Sequence, residues 1–173
     1  YAHLKLLNDW VLYPCNGKLD KITDYCYPIL QIIRNEKDFG KYVYILEKDS
    51  DNVLIYKNDS EDYDSVSKEL FLQHAELLLS HIKGMKQKEK SHFLDVDNFA
   101  NKVHMHKLKC TGSRAKSDIQ LLVEDKRSAM PQELGFSIKS KLGGASTLFN
   151  PNKNGTNFCY EVQGTLSKEQ IDE

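Results

Sequence analysis

The stretch Lys116-Ser-Asp-Ile-Gln-Leu-Leu-Val-Glu-Asp125, followed by Gly135-Phe-Ser-Ile-Lys-Ser-Lys-Leu142, contains most of the information about fold and function. Both segments have the length and composition of β-strands, and a polar loop joins them. The first strand begins with the carboxylate of Asp118, and the second carries Lys139 where an apolar residue would be usual. A carboxylate can hold a divalent cation and a lysine can orient water. The two strands therefore predict a site suited to cutting a phosphodiester bond.

Side-chain direction determines which of these residues can meet. Residues two apart on a strand lie on one face of the sheet, so Ser137 shares a face with Lys139. By the same rule Asp118 shares a face with Gln120. In a suitable register, Asp118 and Gln120 would lie beside Lys139. A surface hairpin with an aspartate cap and solvated lysines explains the same spacing, and both readings stay open at this point.

The remaining elements occur in an irregular order. Apolar spacing and turn residues predict helices at 2–11, 65–84 and 95–103 and from 165, and strands at 28–34, 42–47, 52–57, 108–111 and 158–162. A short turn joins 42–47 to 52–57 as a hairpin, and the Asp/Ser-rich stretch up to Ser65 is predicted to be a loop. Because strands and helices do not alternate regularly, the fold class is α+β or mixed α/β.

Length and composition indicate one globular domain. The chain has 173 residues, of which 40% are hydrophobic and 28% charged. No apolar run approaches the roughly 18 residues of a membrane span, so no membrane partner is expected. Helical patterns are interrupted at both ends, and we expect 1–173 to be a single domain, carrying the candidate nuclease site of the two strands above, within a longer chain. Its parts would be 1–64 (helix plus antiparallel strands), 65–106 (helices) and 107–173 (catalytic strands).

Charge is unevenly distributed along the chain. The net charge is −1, yet residues 47–64 hold seven acids and two lysines. Residues 100–160 hold ten Lys or Arg and four acids, a local charge of +6. One basic region in a nearly neutral protein favours a local site for a polyanion. A solvated charged surface is the alternative.

Cysteine and histidine patterns carry less information. The four cysteines form no Cys-X-X-Cys pair, which favours free thiols: Cys15, Cys26, Cys110 and Cys159. His104 and His106 together with Cys110 provide three zinc ligands without a fourth. A helix C-terminus, where His and Lys are favoured, explains the two histidines as well.

At Asp118-Ile119 and Gly135-Phe-Ser-Ile-Lys-Ser140 the chain resembles the HpaII family of type II restriction endonucleases, within the PD-(D/E)XK nuclease superfamily. The other matching segments are Leu142-Gly143, Thr147-Leu148, Thr156-Asn-Phe158, Lys5-Leu-Leu7, Gly17-Lys-Leu19, Tyr27-Pro-Ile-Leu30 and Ile33-Arg34. The resemblance therefore covers most of the chain. It implies a restriction-endonuclease-like core with a central mixed sheet flanked by helices.

The resemblance also implies an activity, namely Mg²⁺-dependent hydrolysis of duplex DNA at a short site, with CCGG as the candidate sequence. It places Asp118 at the first acid and Lys139 at the catalytic lysine, with Ser137 where the general motif has a second acid. Asp118 and the backbone carbonyl of Ile138 would bind the metal. Because a hydroxyl binds Mg²⁺ poorly, the second carboxylate remains to be located, and Glu133 in the predicted loop is one candidate.

Basic and amide side chains after residue 110 are the candidates for DNA binding. Lysine and arginine suit phosphates, whereas asparagine suits base edges or turns. The phosphate candidates are Arg114, Lys116, Lys141 and Lys153, and the base-edge candidates are Asn150 and Asn152.

The resemblance implies a bacterial cytoplasmic enzyme whose cognate methyltransferase acts on the same site, and it leaves a homodimer open. Two other classes compete with this interpretation. One is a non-catalytic or degenerate DNA-binding module of the nuclease fold. The other is a protein-interaction domain in which the hairpin is merely solvated.

Overall fold

The computed structural model describes residues 1–18, 20–36, 38–57, 60–84, 93–106, 117–125 and 130–138, all within the unit Tyr1–Ile138. The elements in chain order are α1 (Ala2–Asp9), β1 (Val11–Leu12), β2 (Tyr27–Glu36), β3 (Gly40–Leu46), β4 (Asn52–Lys57), β5 (Tyr63–Ser67), α2 (Lys68–Gly84), α3 (Leu94–Lys102), β6 (Ile119–Asp125) and β7 (Met130–Phe136).

The described strands form one seven-stranded sheet in the order β5-β4-β3-β2-β6-β7, with β1 beside β2. Every pairing between the described strands is antiparallel. Strand β2 is central, since Ile32 pairs with Tyr44 of β3 on one side and Leu121 of β6 on the other. The N-terminal strands and the two strands of the candidate site therefore belong to the same sheet. The expected α+β class is confirmed.

The three helices of the described residues pack on one face of this sheet. Side chains alternate along each strand, so one set from β2, β3, β4 and β6 is buried together. The core cluster contains Leu4 and Leu7 of α1, Ile32, Tyr44, Val53, Ile55, Leu121 and Val123 of the sheet, Phe71 and Ala75 of α2, and Val96 and Phe99 of α3. The opposite face of the sheet is only partly buried, and it is the face on which the candidate site lies.

The first helix is shorter than its apolar pattern predicts. It ends at Asp9, because Trp10 adopts a left-handed conformation with φ 51° and turns the chain. The Trp10 indole Nε1 donates to the Leu7 carbonyl at 2.6 Å, which fixes that turn. Val11, predicted to be helical, pairs instead with Pro28 as part of β1. The prediction of a helix through Val11 was wrong, because tertiary pairing with β2 competes with the helical pattern.

The stretch before the second helix also differs from the prediction. Residues up to Ser65 were expected to form a loop, but Tyr63–Ser67 is strand β5 at the sheet edge. Val66 is buried opposite Val53 of β4, and this long-range contact stabilises a segment of low strand propensity. Helix α2 then begins at Lys68 and ends at Gly84, the predicted stop. Helix α3 lies where the third helix was predicted.

Several sequence-based predictions lie outside the described residues: the strands at 108–111 and 158–162, and the helix from 165. Cys15 and Cys26 are free thiols, as predicted. Among the helices described, none is long and apolar enough to cross a bilayer.

Candidate functional site

Asp118 immediately precedes β6, and hydrogen bonds connect it to the neighbouring strand. Its backbone N–H donates to the Phe136 carbonyl at 2.8 Å. Its Oδ2 accepts the backbone N–H of Ile138 at 2.7 Å. The carboxylate thus continues the β6–β7 pairing beyond the last residue of β7. A carboxylate has about four lone-pair positions, so accepting this hydrogen bond is compatible with binding a cation.

Strand β7 begins and ends earlier than predicted. The sequence indicated a strand over 135–142, but β7 is Met130–Phe136. Leu134 pairs with Leu121, and Met130 pairs with Asp125 at the far end. Every residue of β7 is exposed. Its sequence therefore resembles that of a loop, although the segment pairs with β6 along its whole length. The prediction of a loop around Glu133 was therefore wrong.

The predicted side-chain directions agree with the observed register. Ile119 is buried and pairs with Phe136, so both point towards the helices. By alternation, Asp118 and Ser137 lie on the opposite face. The structure therefore brings Asp118, Ser137 and Ile138 together at one end of the β6–β7 pair. Lys139 follows Ile138 directly and lies outside the described residues.

Gly135 is required because Ser117, the residue before Asp118, approaches β7 closely. A Cβ at position 135 would lie 2.8 Å from Ser117 Cβ and 3.0 Å from Ser117 Oγ. Real Cβ atoms do not approach so closely, so any side chain at 135 would displace Ser117. The glycine of the Gly-Phe-Ser-Ile-Lys-Ser motif thus lets the residue before Asp118 pack against β7.

An amide pair lies on the same face as Asp118. Asn35 of β2 donates from Nδ2 to Gln120 Oε1 of β6 at 2.9 Å. Ile33 pairs with Gln120, and continuing this antiparallel register places Asn35 alongside Asp118. Sequence reasoning considered Gln120 but missed Asn35. Alternation along 28–34 could have indicated its direction, but the pairing of β2 with β6 is not visible in the sequence.

The helix face of the same sheet end holds a buried ion pair. Arg34 Nε bonds Glu36 Oε1, with only 6% and 5% of the two residues exposed.

His3 lies near this ion pair. Its Nε2 is buried and has no hydrogen-bond partner within the described residues, although the residue as a whole is only half-buried. Burial, assisted by the charge of Arg34, lowers the pKa of His3 to about 3. Burial also raises the pKa of Tyr44, whose hydroxyl donates to the Val103 carbonyl at 2.8 Å.

His104 and His106 make aromatic contacts. His104 has φ 60°, stacks on Tyr42 with ring centroids 4.7 Å apart, and bonds Asp64 Oδ2 through Nε2 at 2.7 Å. His106 stacks on Phe39 with ring centroids 3.9 Å apart. Both follow the end of α3 at Lys102, as the helix-end alternative requires. Cys110 lies outside the described residues, and within the described part of the chain no three His, Cys, Asp or Glu side chains cluster as metal ligands.

The DNA-binding candidates remain predictions. Arg114, Lys116, Lys141, Asn150, Asn152 and Lys153 all lie outside the described residues. Of the ten Lys and Arg residues in the basic region 100–160, the described residues contain Lys102 at the end of α3.

The described strands form an antiparallel sheet with helices on one face, and the exposed Asp118 carboxylate is hydrogen-bonded to the residue before Lys139. These features define an α+β domain with a restriction-endonuclease-like core. The sequence profile of a family described as HpaII restriction endonuclease matches residues 1–173. Over 169 residues the chain is 36% identical to the type II restriction enzyme HpaII of Haemophilus parainfluenzae. This chain belongs to the HpaII restriction endonuclease family, which confirms the resemblance seen in the sequence.

The alignment covers 98% of this chain and 46% of the Haemophilus enzyme. The chain thus spans about half the length of the curated relative it matches. No solved structure gives a significant match.

Proposed function

We propose that this chain carries the catalytic strands of a type II restriction endonuclease that hydrolyses phosphodiester bonds of duplex DNA at a short specific site. The observation that carries the proposal is the hydrogen bond from the Ile138 N–H to Asp118 Oδ2, which holds the candidate acid beside the residue preceding Lys139. Family membership supports it, since the Haemophilus relative is named a type II restriction enzyme. We propose CCGG as the recognition sequence on the basis of the resemblance.

The donor set around Asp118 fits Mg²⁺. This ion takes oxygen ligands, keeps several waters and needs only one or two carboxylates. The Asp118 carboxylate and the Ile138 carbonyl supply such oxygens at neighbouring positions. A bound Mg²⁺ would polarise the scissile phosphate. Glu133 is four strand residues from Ser137, about 13 Å along the chain, so we propose no metal contact for it.

The remaining roles belong to residues next to this pair. Lys139 would stabilise the negative charge that develops on the phosphate and orient the attacking water. The hydroxyl of Ser137 shares the face of Asp118 and would contact the substrate through hydrogen bonds. The proposed phosphate contacts are Arg114, Lys116, Lys141 and Lys153, and the proposed base contacts are Asn150 and Asn152.

A symmetric site such as CCGG suits a homodimer with two-fold symmetry, which we propose as the active assembly. We place the enzyme in the bacterial cytoplasm, beside a methyltransferase that modifies the same site.

Cleavage of defined duplexes tests the proposal. The intact protein is incubated with a duplex containing CCGG and with a matched duplex lacking it, in Mg²⁺ or in EDTA. We expect cutting of the first duplex in Mg²⁺ alone, and its loss in Lys139→Ala. Lys83→Ala, which removes an exposed lysine at the end of α2, is the matched control and should cut normally. If Lys139→Ala cuts at the parental rate, Lys139 is not a catalytic residue. If the parent cuts in EDTA, cleavage does not require a metal ion.

A non-catalytic DNA-binding module is the second candidate, and Ser137 is the observation that favours it. A hydroxyl in place of the second acid weakens metal binding. Calorimetric titration of Mg²⁺, with and without DNA, separates the candidates, because only the nuclease should bind the ion at the site. Ser137→Asp should tighten that binding. A protein-interaction domain would instead show no salt-dependent binding to DNA.

A further inference from the structure

The sheet face that carries Asp118 has a second polar feature, the amide pair of Asn35 and Gln120. The two side chains come from neighbouring strands and are 85 residues apart in sequence. Asn35 is exposed and Gln120 half-buried. Their alignment with Asp118 follows from the β2–β6 register, so the pair lies beside the candidate acid rather than elsewhere on the surface.

The neighbours of Gln120 on the open face are a small polar group on the side of β7 and a lysine on the side of β3. Its partner on β7 is Gly135, and the Ser117 side chain packs where a Cβ of Gly135 would lie. On the other side Asn35 pairs with Lys41 of β3, which places a cationic side chain on the same face one strand further. Two residues along a strand span about 7 Å, so a phosphate at Asp118 would be within reach of a donor at Gln120.

The hydrogen bond between the two amides determines which end of Gln120 is presented. Asn35 Nδ2 donates to Oε1, so the carbonyl end of Gln120 is engaged by β2. The other end is the amide nitrogen with its two donors, and neutral N–H donors are common ligands of DNA phosphates.

We propose that Gln120 binds the DNA backbone next to the phosphate that is cut, and that Asn35 is a positioning residue that orients the Gln120 amide. This inference rests on the proposed nuclease function and extends it to two residues that the catalytic motif does not include. Gln120 donates from Nε2 to a phosphate oxygen, and Asn35 acts only through Gln120.

Gln120→Glu tests the contact, because it keeps an oxygen to accept from Asn35 and replaces the donor nitrogen with a negatively charged oxygen. Affinity for a duplex containing CCGG is measured by fluorescence anisotropy in an Asp118→Ala background. The melting temperature of each protein variant is measured as well. We expect affinity to fall roughly tenfold or more, the value of a hydrogen bond to a charged group. Gln73→Glu, an exposed glutamine of α2 bonded to Glu69, is the matched charge control and should bind normally.

A double-variant cycle tests the role of Asn35. Asn35→Ala should weaken binding less than Gln120→Ala, and the combined variant should bind as weakly as Gln120→Ala alone. In the parental background, Asn35→Ala should raise KM for DNA while kcat is retained. A lowered melting temperature with unchanged affinity would overturn the inference in favour of a structural pair, and additive effects would overturn the positioning role.

The outcomes separate this inference from the proposed function. If the parent cuts DNA and Gln120→Glu binds as tightly as Gln73→Glu, only the role of the amide pair is wrong. If the parent does not cut and the Asp118→Ala protein does not bind the duplex, the nuclease function itself fails.

Discussion

Two groups of polar residues lie at the same end of β2, on opposite faces of the sheet. Arg34 and Glu36 point to the helices and are buried as an ion pair. Asn35, between them, points to the open face beside Asp118. Buried charges must be paired with each other, because desolvation is costly. Exposed polar groups that are held by backbone or amide hydrogen bonds have fixed positions and can contact a ligand. The comparison shows how one strand contributes both to stability and to the candidate site.

The largest expected effect concerns catalysis on the open face. Asp118→Asn keeps an oxygen for the Ile138 N–H but removes the negative charge that would hold a cation. We expect the cutting rate to fall about a thousandfold, since a metal ion contributes several kcal/mol to the transition state. The free energy of unfolding should change by less than about 1 kcal/mol, the value of one weakened hydrogen bond. Single-turnover cleavage and urea denaturation measure the two quantities. A rate within tenfold of the parent would show that Asp118 is a structural cap.

The next effect concerns stability on the helix face. Arg34→Met leaves Glu36 buried without its cation and should lower the free energy of unfolding by about 3–5 kcal/mol. Combining it with Glu36→Leu should restore most of that loss, because no unpaired charge remains. Lys5→Met, which breaks the exposed pair of Lys5 with Asp9, is the control and should cost less than about 0.5 kcal/mol. Equal costs for the buried and exposed pairs in urea denaturation would contradict the comparison.

A smaller effect concerns the packing that supports Asp118. Gly135→Ala should destabilise the protein by about 1–3 kcal/mol, the usual cost of overpacking, because the new methyl group meets Ser117. Adding Ser117→Gly should recover part of this loss by removing the contact. Gly17→Ala is the matched control, since a Cβ there meets nothing within 4 Å. Thermal denaturation measures all three variants, and an equal loss in Gly17→Ala would show that the contact with Ser117 is not the cause.

The effect that is smallest at neutral pH, and that develops only in acid, is a pH dependence from His3. Its folded-state pKa of about 3 lies below its ordinary value of 6.5, so the unfolded chain takes up a proton that the folded chain does not. Stability should therefore be unaffected above pH 6.5 and fall as the pH drops from there towards 3, by up to about 1.4 kcal/mol per pH unit. His3→Gln should flatten this part of the curve. Urea denaturation between pH 4 and 8 tests it, and an unchanged slope would mean that His3 becomes protonated within the folded protein.

Local patterns were sufficient for much of the fold. The strand at 52–57 matches β4 residue for residue, and its hairpin with β3 was predicted from a short turn. The helices α2 and α3 follow from their apolar spacing. These elements depend on contacts between residues near each other in sequence, which the periodicity of a single segment records.

Elements defined by distant partners were missed or misplaced. Strand β5 pairs with β4 through Val66, and β7 is exposed at every position, so neither has the alternation of a half-buried strand. Strand β1, which the sequence pattern assigned to the first helix, pairs with β2. In each case the partner, and not the segment's own composition, determines the conformation.

For the candidate site, the sequence by itself determined the residue types and their alternation within each segment: Asp118 on one face with Gln120, and Ser137 on one face with Lys139. Strand periodicity is a local property, so one sequence suffices for it. Only the tertiary structure decided that the Ile138 N–H bonds Asp118, that Ser117 packs on Gly135, and that Asn35 reaches Gln120. Those contacts depend on the register of β6 with β7 and β2, and burial of the whole sheet face fixes that register.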